Sequence, residues 1–180
     1  LGIGLNECIS YTFIAENAMK MMGIEPDSKL FSDIKLLNPL SNKFAIMRST
    51  MLYSMLSTYI YNLSYNGECE PIFEIGSTFY KDESTDTGYN QKNMLSVLLN
   101  GNRIEKGFGI DKAVPYDFYD IKAILELIAS EFSIDIELKP TNEKIFKEGM
   151  GVEIFIEGKP SGFMGTINPE MFKNFENGKL

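Results

Sequence analysis

The sequence contains no histidine and only two cysteines among its 180 residues. The absence of histidine excludes imidazole acid–base catalysis, histidine-activated nucleophiles and imidazole metal sites. Cys8 and Cys69 are too few and too differently placed for a disulfide scaffold or a thiolate metal site. We therefore expect two inert thiols in a reducing compartment, the cytoplasm. The absence of histidine alone excludes many enzyme classes.

Positive charge is also scarce, because the chain has only 17 Lys and Arg residues against 25 Asp and Glu residues, which gives a net charge of −8. No overall basic field therefore attracts the phosphates of a nucleic acid to most of the surface. We identify no signal peptide and no apolar run long enough to cross a membrane. At 44% apolar residues the chain is long enough for one domain spanning residues 1–180. Since the first residue is Leu1, we expect a fragment of a larger protein.

One segment stands out because no charged residue occurs between Arg48 and Glu68. Its apolar residues recur at i, i+1, i+4 and i+5, which predicts a helix with one broad apolar stripe: Met51, Leu52, Met55, Leu56, Tyr59, Ile60 and Leu63. The opposite face carries small hydroxyls and phenols: Tyr53, Ser54, Ser57, Thr58, Tyr61 and Asn62. Ser49 or Thr50 is the expected N-cap and Gly67 the expected C-cap. Such a helix fits either a contact with another protein or an ordinary core.

Before and after this helix, the chain alternates short strands with helices. We predict strands over 6–15 and 31–40, a short helix over 15–23, and a strand over 72–80. In that strand Phe73, Ile75 and Phe79 share one face and Glu74, Gly76 and Thr78 the other. A polar loop over 81–93 follows, then a strand over 94–101.

The C-terminal part of the chain begins with a helix over 118–132, with Asp117 as its N-cap. A strand over 134–138, a hairpin over 151–167 turning at Gly158 and Lys159, and a helix over 168–176 complete the prediction. Successive strands without a parallel βαβ rhythm indicate an α+β fold with an antiparallel sheet.

Several segments of the chain are specific enough to compare with a known family. The two most specific are NPLSNKFAIMRSTMLYSML at 38–56 and PIFEIGSTFY at 71–80. Weaker ones are LGIGLNECISYTF at 1–13, YDFYDIKAILELI at 116–128 and GKPSGFMGTINPEM at 158–171. In this order they resemble segments of the bacterial phenylalanyl-tRNA synthetase beta subunit, and the resemblance covers essentially the whole chain.

The resemblance implies an α+β class II synthetase fold in a catalytic-like module that has no working active site. In the family, this module packs against the catalytic alpha subunit of an (αβ)₂ enzyme that attaches phenylalanine to tRNA(Phe) with ATP and Mg²⁺. The fragment itself is expected to be inactive and to bind no cofactor or metal, and to meet tRNA only through the holoenzyme. The uncharged helix corresponds to class II motif 1, which implies an intersubunit interface at Arg48, Met51, Leu52, Met55, Leu56, Tyr59, Ile60 and Leu63. Self-association of the isolated fragment through this helix stays open.

The residues that class II chemistry requires are missing from the matching positions. Motif 2 needs an arginine to clamp the ATP α-phosphate, and Tyr80 occupies that position. Motif 3 needs a second arginine after a glycine-rich segment. The glycine cluster at 149–151 is followed by Val152 and Glu153, and the two arginines of the chain lie far upstream of it. The alternative is a free-standing class II-like ligase that uses Lys81 and Arg103 as replacement phosphate clamps.

Three further residues or pairs carry open interpretations. Arg48 either pairs across a subunit interface or forms a salt bridge within the module. Glu74 either mimics a substrate-binding acid or belongs to an ion pair. Gly107 and Gly109 form a lone GxG that is either a weak phosphate signal or, by default, a turn.

Overall fold

The computed structural model describes residues 2–28, 30–31, 33–39 and 41–177. The chain divides into two compact units, Leu1–Leu98 with Asn174–Leu180, and Leu99–Lys173. The elements of the first unit up to residue 98 are β1 (Asn6–Glu7), β2 (Phe13–Ile14), α1 (Ala18–Met21), β3 (Ile46–Met47), α2 (Leu52–Asn66), β4 (Ile72–Lys81) and β5 (Tyr89–Leu98). A single 3₁₀ turn at Asn42–Phe44 precedes β3.

The long hairpin of β4 and β5 is the main sheet of the first unit. The two strands pair antiparallel from Ile72 opposite Leu98 to Lys81 opposite Tyr89. The polar loop expected over 81–93 is therefore shorter, because residues 89–93 continue the ladder as part of β5. The Asp82 carboxylate accepts hydrogen bonds from Ser84 Oγ at 2.5 Å, from Asn90 Nδ2 at 3.1 Å and from Ser84 N at 3.0 Å. These bonds lower the pKa of Asp82 and order the turn.

The N-terminal segment contains less strand than its alternation predicted. Only its two ends form strands: β1 pairs parallel with β4, and β2 pairs antiparallel with β3. Between them Ile9 and Tyr11 are 91% and 72% exposed, so the residues between β1 and β2 do not bury an apolar face. The parallel contact of β1 was not expected, since the sequence indicated only antiparallel pairing.

The strand predicted over 31–40 is wrong for the residues that the structure describes there. Its described residues form one isolated bridge, Lys35 opposite Ile46, with flanking hydrogen bonds from Leu36 N to Ala45 O and from Met47 N to Ile34 O. Ser32 and Leu40 lie outside the described residues. Because β3 is only two residues long, its partner strand has little ladder to extend.

Helix α2 confirms the expected helix, and Gly67 closes it with φ 75° and a hydrogen bond from Gly67 N to Leu63 O. The expected N-cap is wrong, because Met51 occupies that position and makes no side-chain cap. Ser49 instead donates its hydroxyl to Leu30 O. Thr50 Oγ1 accepts from Leu52 N at 3.3 Å, so its hydroxyl still assists the first turn.

The second unit contains the remaining strands and a helix: β6 (Asn102–Ile104), β7 (Val114–Pro115), α3 (Phe118–Glu131), β8 (Ile136–Pro140), β9 (Phe146–Ile156) and β10 (Lys159–Ile167). A last helix, α4 (Pro169–Asn177), follows β10. Strands β8, β9 and β10 form an antiparallel sheet with β9 in the middle. The architecture is thus α+β with almost entirely antiparallel pairing, as expected.

Two local sequence signals in the second unit predicted its structure well: the helix cap at Asp117 and the turn of the C-terminal hairpin. Asp117 caps α3 in a complete capping box with Asp120. The turn between β9 and β10 lies at Glu157 and Gly158, one residue earlier than predicted, because both residues adopt positive φ, 50° and 76°. Among the residues that the structure describes, no helix is long and apolar enough to span a membrane.

The pairing of β9 with β10 depends on two glycines that lie opposite each other, Gly151 and Gly165. A Cβ on Gly151 would lie 2.7 Å from the Phe146 ring, and a Cβ on Gly165 would lie 2.5 Å from Met150 O. By contrast, a Cβ on Gly162 would meet only Ile154 Cδ1 at 3.9 Å. The Phe146 ring therefore packs where side chains at these two positions would otherwise stand.

We expect Gly151→Ala and Gly165→Ala each to lower the free energy of unfolding by about 1–3 kcal/mol, because the new methyl group overpacks the space between β9, β10 and the Phe146 ring. Gly162→Ala is the matched control on the same hairpin and should be neutral or slightly stabilising. Urea unfolding followed by circular dichroism measures all three. Equal losses at Gly151 and Gly162 would show that the Phe146 contact is not the cause.

Candidate functional site

Helix α2 packs one face against β4 and β5. The residues that this packing and the neighbouring loops bury are Met51 at its N-cap, Tyr53, Ser54, Met55, Leu56 and Tyr59. The Cys8 thiol lies 3.7 Å from the Met55 sulfur on this side, and burial is the main cause that raises its pKa to about 11. Four residues of the apolar stripe therefore meet the interior of their own unit: Met51, Met55, Leu56 and Tyr59.

Arg48 is the centre of a buried polar network beneath α2, with a side chain only 1% exposed. Its Nη2 lies 2.9 Å from Glu74 Oε1, and its Nε donates to Ser77 O at 2.9 Å. Nη1 donates to Ser10 Oγ at 2.8 Å and to Ser54 Oγ at 3.2 Å. Ser10 Oγ in turn donates to Glu74 Oε2 at 2.6 Å, so both carboxylate oxygens of Glu74 are bonded.

This network decides between the open interpretations of Arg48 and of Glu74. Arg48 forms the salt bridge within the module, and Glu74 is its partner, only 2% exposed. On β4 the face with polar residues points inward, whereas apolar faces usually do: Glu74 and Thr78 are buried, while Ile75 is 67% exposed. Gly76 shares the buried face, where a Cβ would come within 2.3 Å of Arg48 Nη2. Charge pairing, not hydrophobicity, decides which face of this strand points inward.

A groove of about 670 Å³ opens beside the N-terminal half of α2. Its walls combine aromatic rings with hydroxyl groups, including Tyr11, Phe13, Phe44, Tyr53, Ser57 and Thr58. The Tyr11 and Phe44 rings meet edge to face at 5.1 Å. Burial raises the pKa of the Tyr53 phenol. The wall that α2 contributes is uncharged.

The accessible face of α2 continues from this groove toward the C-terminus. Tyr61 and Tyr65 are 58% and 73% exposed, and their rings lie 4.5 Å apart on successive turns. Ser64 is exposed beside them, and Ser57 and Thr58 are partly exposed, although the Ser57 hydroxyl oxygen itself is buried. We call these five residues, Ser57, Thr58, Tyr61, Ser64 and Tyr65, the hydroxyl face of α2. It carries no charge, although the chain as a whole has 23% charged residues.

The structure places the expected interface residues in two groups. Leu52, Ile60 and Leu63 are partly exposed, whereas the other five are buried within the chain itself: Arg48, Met51, Met55, Leu56 and Tyr59. The interface on α2 stays a prediction, but its accessible side chains are mainly those of the hydroxyl face. The sequence places Tyr61 on the face of the helix opposite the apolar stripe. The hydroxyl-rich, uncharged composition of that face is the sequence signal that points to it.

The candidate phosphate clamps of the ligase interpretation are paired with carboxylates. Lys81 Nζ lies 2.6 Å from Asp33 Oδ2 at the surface, and this hydrogen bond lowers the pKa of Asp33 and raises that of Lys81. Arg103 Nη1 lies 3.0 Å from Asp120 Oδ1 in the second unit. Tyr80, at the motif 2 position, lies under Lys92, with Nζ 4.8 Å from the ring centroid.

The glycine clusters belong to regular structure. Residues 149–151 lie inside β9 and lead to no helix. Gly107 and Ile110 exchange backbone hydrogen bonds, which confirms the turn and not a phosphate loop. In the part of the chain that the structure describes, no three His, Cys, Asp or Glu residues group to hold a metal ion.

Comparison with known proteins assigns the family. The family model described as "Phenylalanyl tRNA synthetase beta chain CLM domain" matches residues 1–178. The chain belongs to this family. The resemblance seen in the sequence is therefore confirmed, and the match covers both compact units.

Individual relatives agree with the family model. The phenylalanine–tRNA ligase beta subunit of Clostridium acetobutylicum is 26% identical over 175 residues, which are 96% of this chain and 20% of that protein. The beta subunit of Vibrio parahaemolyticus is 30% identical over 182 residues, covering 96% of this chain and 22% of that protein. The chain thus spans about a fifth of the length of these curated relatives.

The structural comparison confirms the fold class. A pyrrolysyl-tRNA synthetase of Desulfitobacterium hafniense superposes with a TM-score of 0.61 at 14% identity, over 96% of this chain and 56% of that chain. At this identity the likeness shows the class II synthetase fold alone. The alternative of a free-standing ligase is wrong, because the relatives that cover the chain are beta subunits.

We expect Arg48→Met to lower the free energy of unfolding by about 3–5 kcal/mol, because it leaves the Glu74 carboxylate buried without its partner. The double variant Arg48→Met/Glu74→Gln removes both charges and should recover at least half of that loss. Urea unfolding measures both, and Lys81→Met, which breaks only a surface pair, should leave the midpoint unchanged. A double variant no more stable than Arg48→Met would refute the buried-charge explanation.

Proposed function

We propose that this chain is a noncatalytic assembly module of a phenylalanine–tRNA ligase beta subunit. Membership of the beta chain CLM domain family and the beta-subunit relatives support this proposal. The observation that carries it is the placement of the two arginines: Arg48 is buried with Glu74, and Arg103 pairs with Asp120 at the surface of the second unit. Tyr80 stands at the motif 2 position, so that position offers no bidentate guanidinium to clamp an ATP phosphate.

In this proposal the chemistry belongs to the partner. The catalytic alpha subunit binds ATP and Mg²⁺ and attaches phenylalanine to tRNA(Phe), while this module supplies a rigid class II scaffold within an (αβ)₂ enzyme in the cytoplasm. The net charge of −8 fits a module that meets tRNA only through the assembled enzyme.

The hydroxyl face of α2 is the surface that we propose for the alpha subunit. Aromatic residues are enriched and charged residues depleted at the centres of protein interfaces. Tyr61 and Tyr65 provide large contact areas with few rotatable bonds, and burying them desolvates no charge. The groove beside Tyr53, whose α2 wall is uncharged and whose other walls include Glu16 and Lys43, adjoins this surface and offers a recess for a partner side chain.

The loss of catalysis has a direct test. The chain purified alone should show no phenylalanine-dependent exchange between ATP and pyrophosphate, and ATP should give no saturable heat in calorimetry. The alpha subunit coexpressed with the beta subunit that carries this chain is the positive control. Exchange by the chain alone, at a rate proportional to its concentration, would refute the noncatalytic assignment.

The assembly role is tested by Tyr65→Lys in the beta subunit that carries this chain. Burying the new ammonium group at an interface is costly, so the dissociation constant for the alpha subunit should rise by about 30-fold or more, the effect of losing roughly 2 kcal/mol. Tyr89→Lys replaces another exposed tyrosine of the same unit and is the matched control. If both variants bind the alpha subunit normally, the hydroxyl face is not the interface.

A further inference from the structure

Asparagine precedes glycine at three places in the chain, and two of these pairs lie within the described residues: Asn66 with Gly67, and Asn100 with Gly101. The third pair, at 177–178, extends beyond the described residues. Asparagine is a thermally labile residue, and it is most labile before glycine, because glycine has no Cβ to hinder an attack by its backbone nitrogen. The same labile dipeptide therefore occurs in two structural settings of one chain.

The reaction at such a pair is an intramolecular substitution. The glycine nitrogen attacks Cγ of the asparagine side chain, the new C–N bond forms, the Cγ–Nδ2 bond breaks, and ammonia leaves with the glycine amide proton. Water then opens the cyclic succinimide at one of its two carbonyl groups, which gives either aspartate or isoaspartate. The attack needs a glycine N–H that is not engaged elsewhere and an asparagine backbone that can rotate to close the ring.

The first pair is protected by helix α2. Asn66 is the last residue of this helix and Gly67 is its C-cap. Gly67 N donates to Leu63 O at 3.0 Å, so the attacking nitrogen is already engaged. The helical backbone at Asn66 must also open locally before the ring can close. Both residues are exposed to solvent, so burial is not what protects them.

The second pair lies in the irregular link between β5, which ends at Leu98, and β6, which begins at Asn102. Within the part of the chain that the structure describes, no hydrogen bond engages the Gly101 N–H or the Asn100 side chain. Gly101 has φ 81°, close to the 75° of Gly67, and a Cβ on either glycine would meet nothing within 4 Å. The two glycines are thus alike in conformation and free space, and the pairs differ in hydrogen bonding and helical constraint.

We propose that Asn100 is a site of spontaneous deamidation, which the fold leaves open while it protects Asn66. This inference does not depend on the proposed function. The product carries a new negative charge, and isoaspartate also adds a carbon atom to the main chain directly before β6. Gly101 O accepts a hydrogen bond from Tyr116 N at 3.1 Å. Because the added atom displaces this carbonyl, the modification loosens the pairing of β6 with β7.

The test is incubation of the full-length protein that carries this chain, at neutral and at mildly alkaline pH, followed by peptide mass spectrometry with chromatographic separation of isoaspartate. Product should form at Asn100 about 10-fold faster than at Asn66 or more, because attack by Gly67 first requires loss of its hydrogen bond and of local helix. The rate at Asn100 should rise with pH, since the attacking nitrogen must lose its proton. The urea-unfolded protein is the control, in which both pairs should react at similar rates.

Asn100→Gln is the matched variant, because its longer side chain would have to close a less favourable ring. It should form no product at position 100 and leave the rate at Asn66 unchanged. After incubation, the Tyr116 amide should exchange its hydrogen faster in the parent protein and at its original rate in the variant. Equal native rates at the two pairs, or protection of Asn100 as strong as that of Asn66, would overturn the proposal. Unchanged exchange at Tyr116 in the modified parent would refute the loosening of β6 and β7.

Discussion

The buried ion pair between Arg48 and Glu74 is the constraint on which the first compact unit depends. The guanidinium joins the N-terminal loop through Ser10, the first turn of α2 through Ser54, and β4 through Glu74 and Ser77. The backbone of Arg48 adds bonds from its N–H to Thr12 O and from Phe79 N–H to its carbonyl. A buried charge tolerates few alternative arrangements, because each lost partner leaves an unsatisfied ion. One side chain therefore fixes how three segments, distant in sequence, meet.

Much of the fold follows from local signals, and the failures share one physical origin. The extent of α2, the capping box of α3 and the C-cap at Gly67 depend on neighbours within a few residues, so the sequence predicts them. The inward face of β4 depends on Arg48, 26 residues away from Glu74, and hydrophobicity alone assigns that face wrongly. The two-residue strands β1, β2 and β3 likewise depend on partners that periodicity cannot identify.

The same limit applies to the candidate site. An uncharged helix between Arg48 and Glu68 is visible in the sequence, and its role in a contact could be expected from composition. Which side remains accessible could not, because both faces are uncharged and the apolar stripe satisfies either a core or an interface. Packing against β4 and β5 decides the matter by burying Met55 and Leu56. The sequence identifies the helix, and the tertiary structure shows that the side chains of its hydroxyl face are among those that remain accessible.

The ion pairs of the two arginines connect the stability of the chain with the absence of class II phosphate clamps. A class II active site needs guanidinium groups that stay available to a phosphate, whereas Arg48 is buried with Glu74 and Arg103 pairs with Asp120 at the surface. An arginine buried with four protein partners cannot turn toward ATP without leaving Glu74 charged and unpaired, at a cost of several kcal/mol. Restoring a single arginine at Tyr80 would consequently provide one phosphate clamp without the second, so catalysis would need changes at more than one position. Under the proposed function, the scaffold retains the class II fold while the chemistry belongs to the alpha subunit.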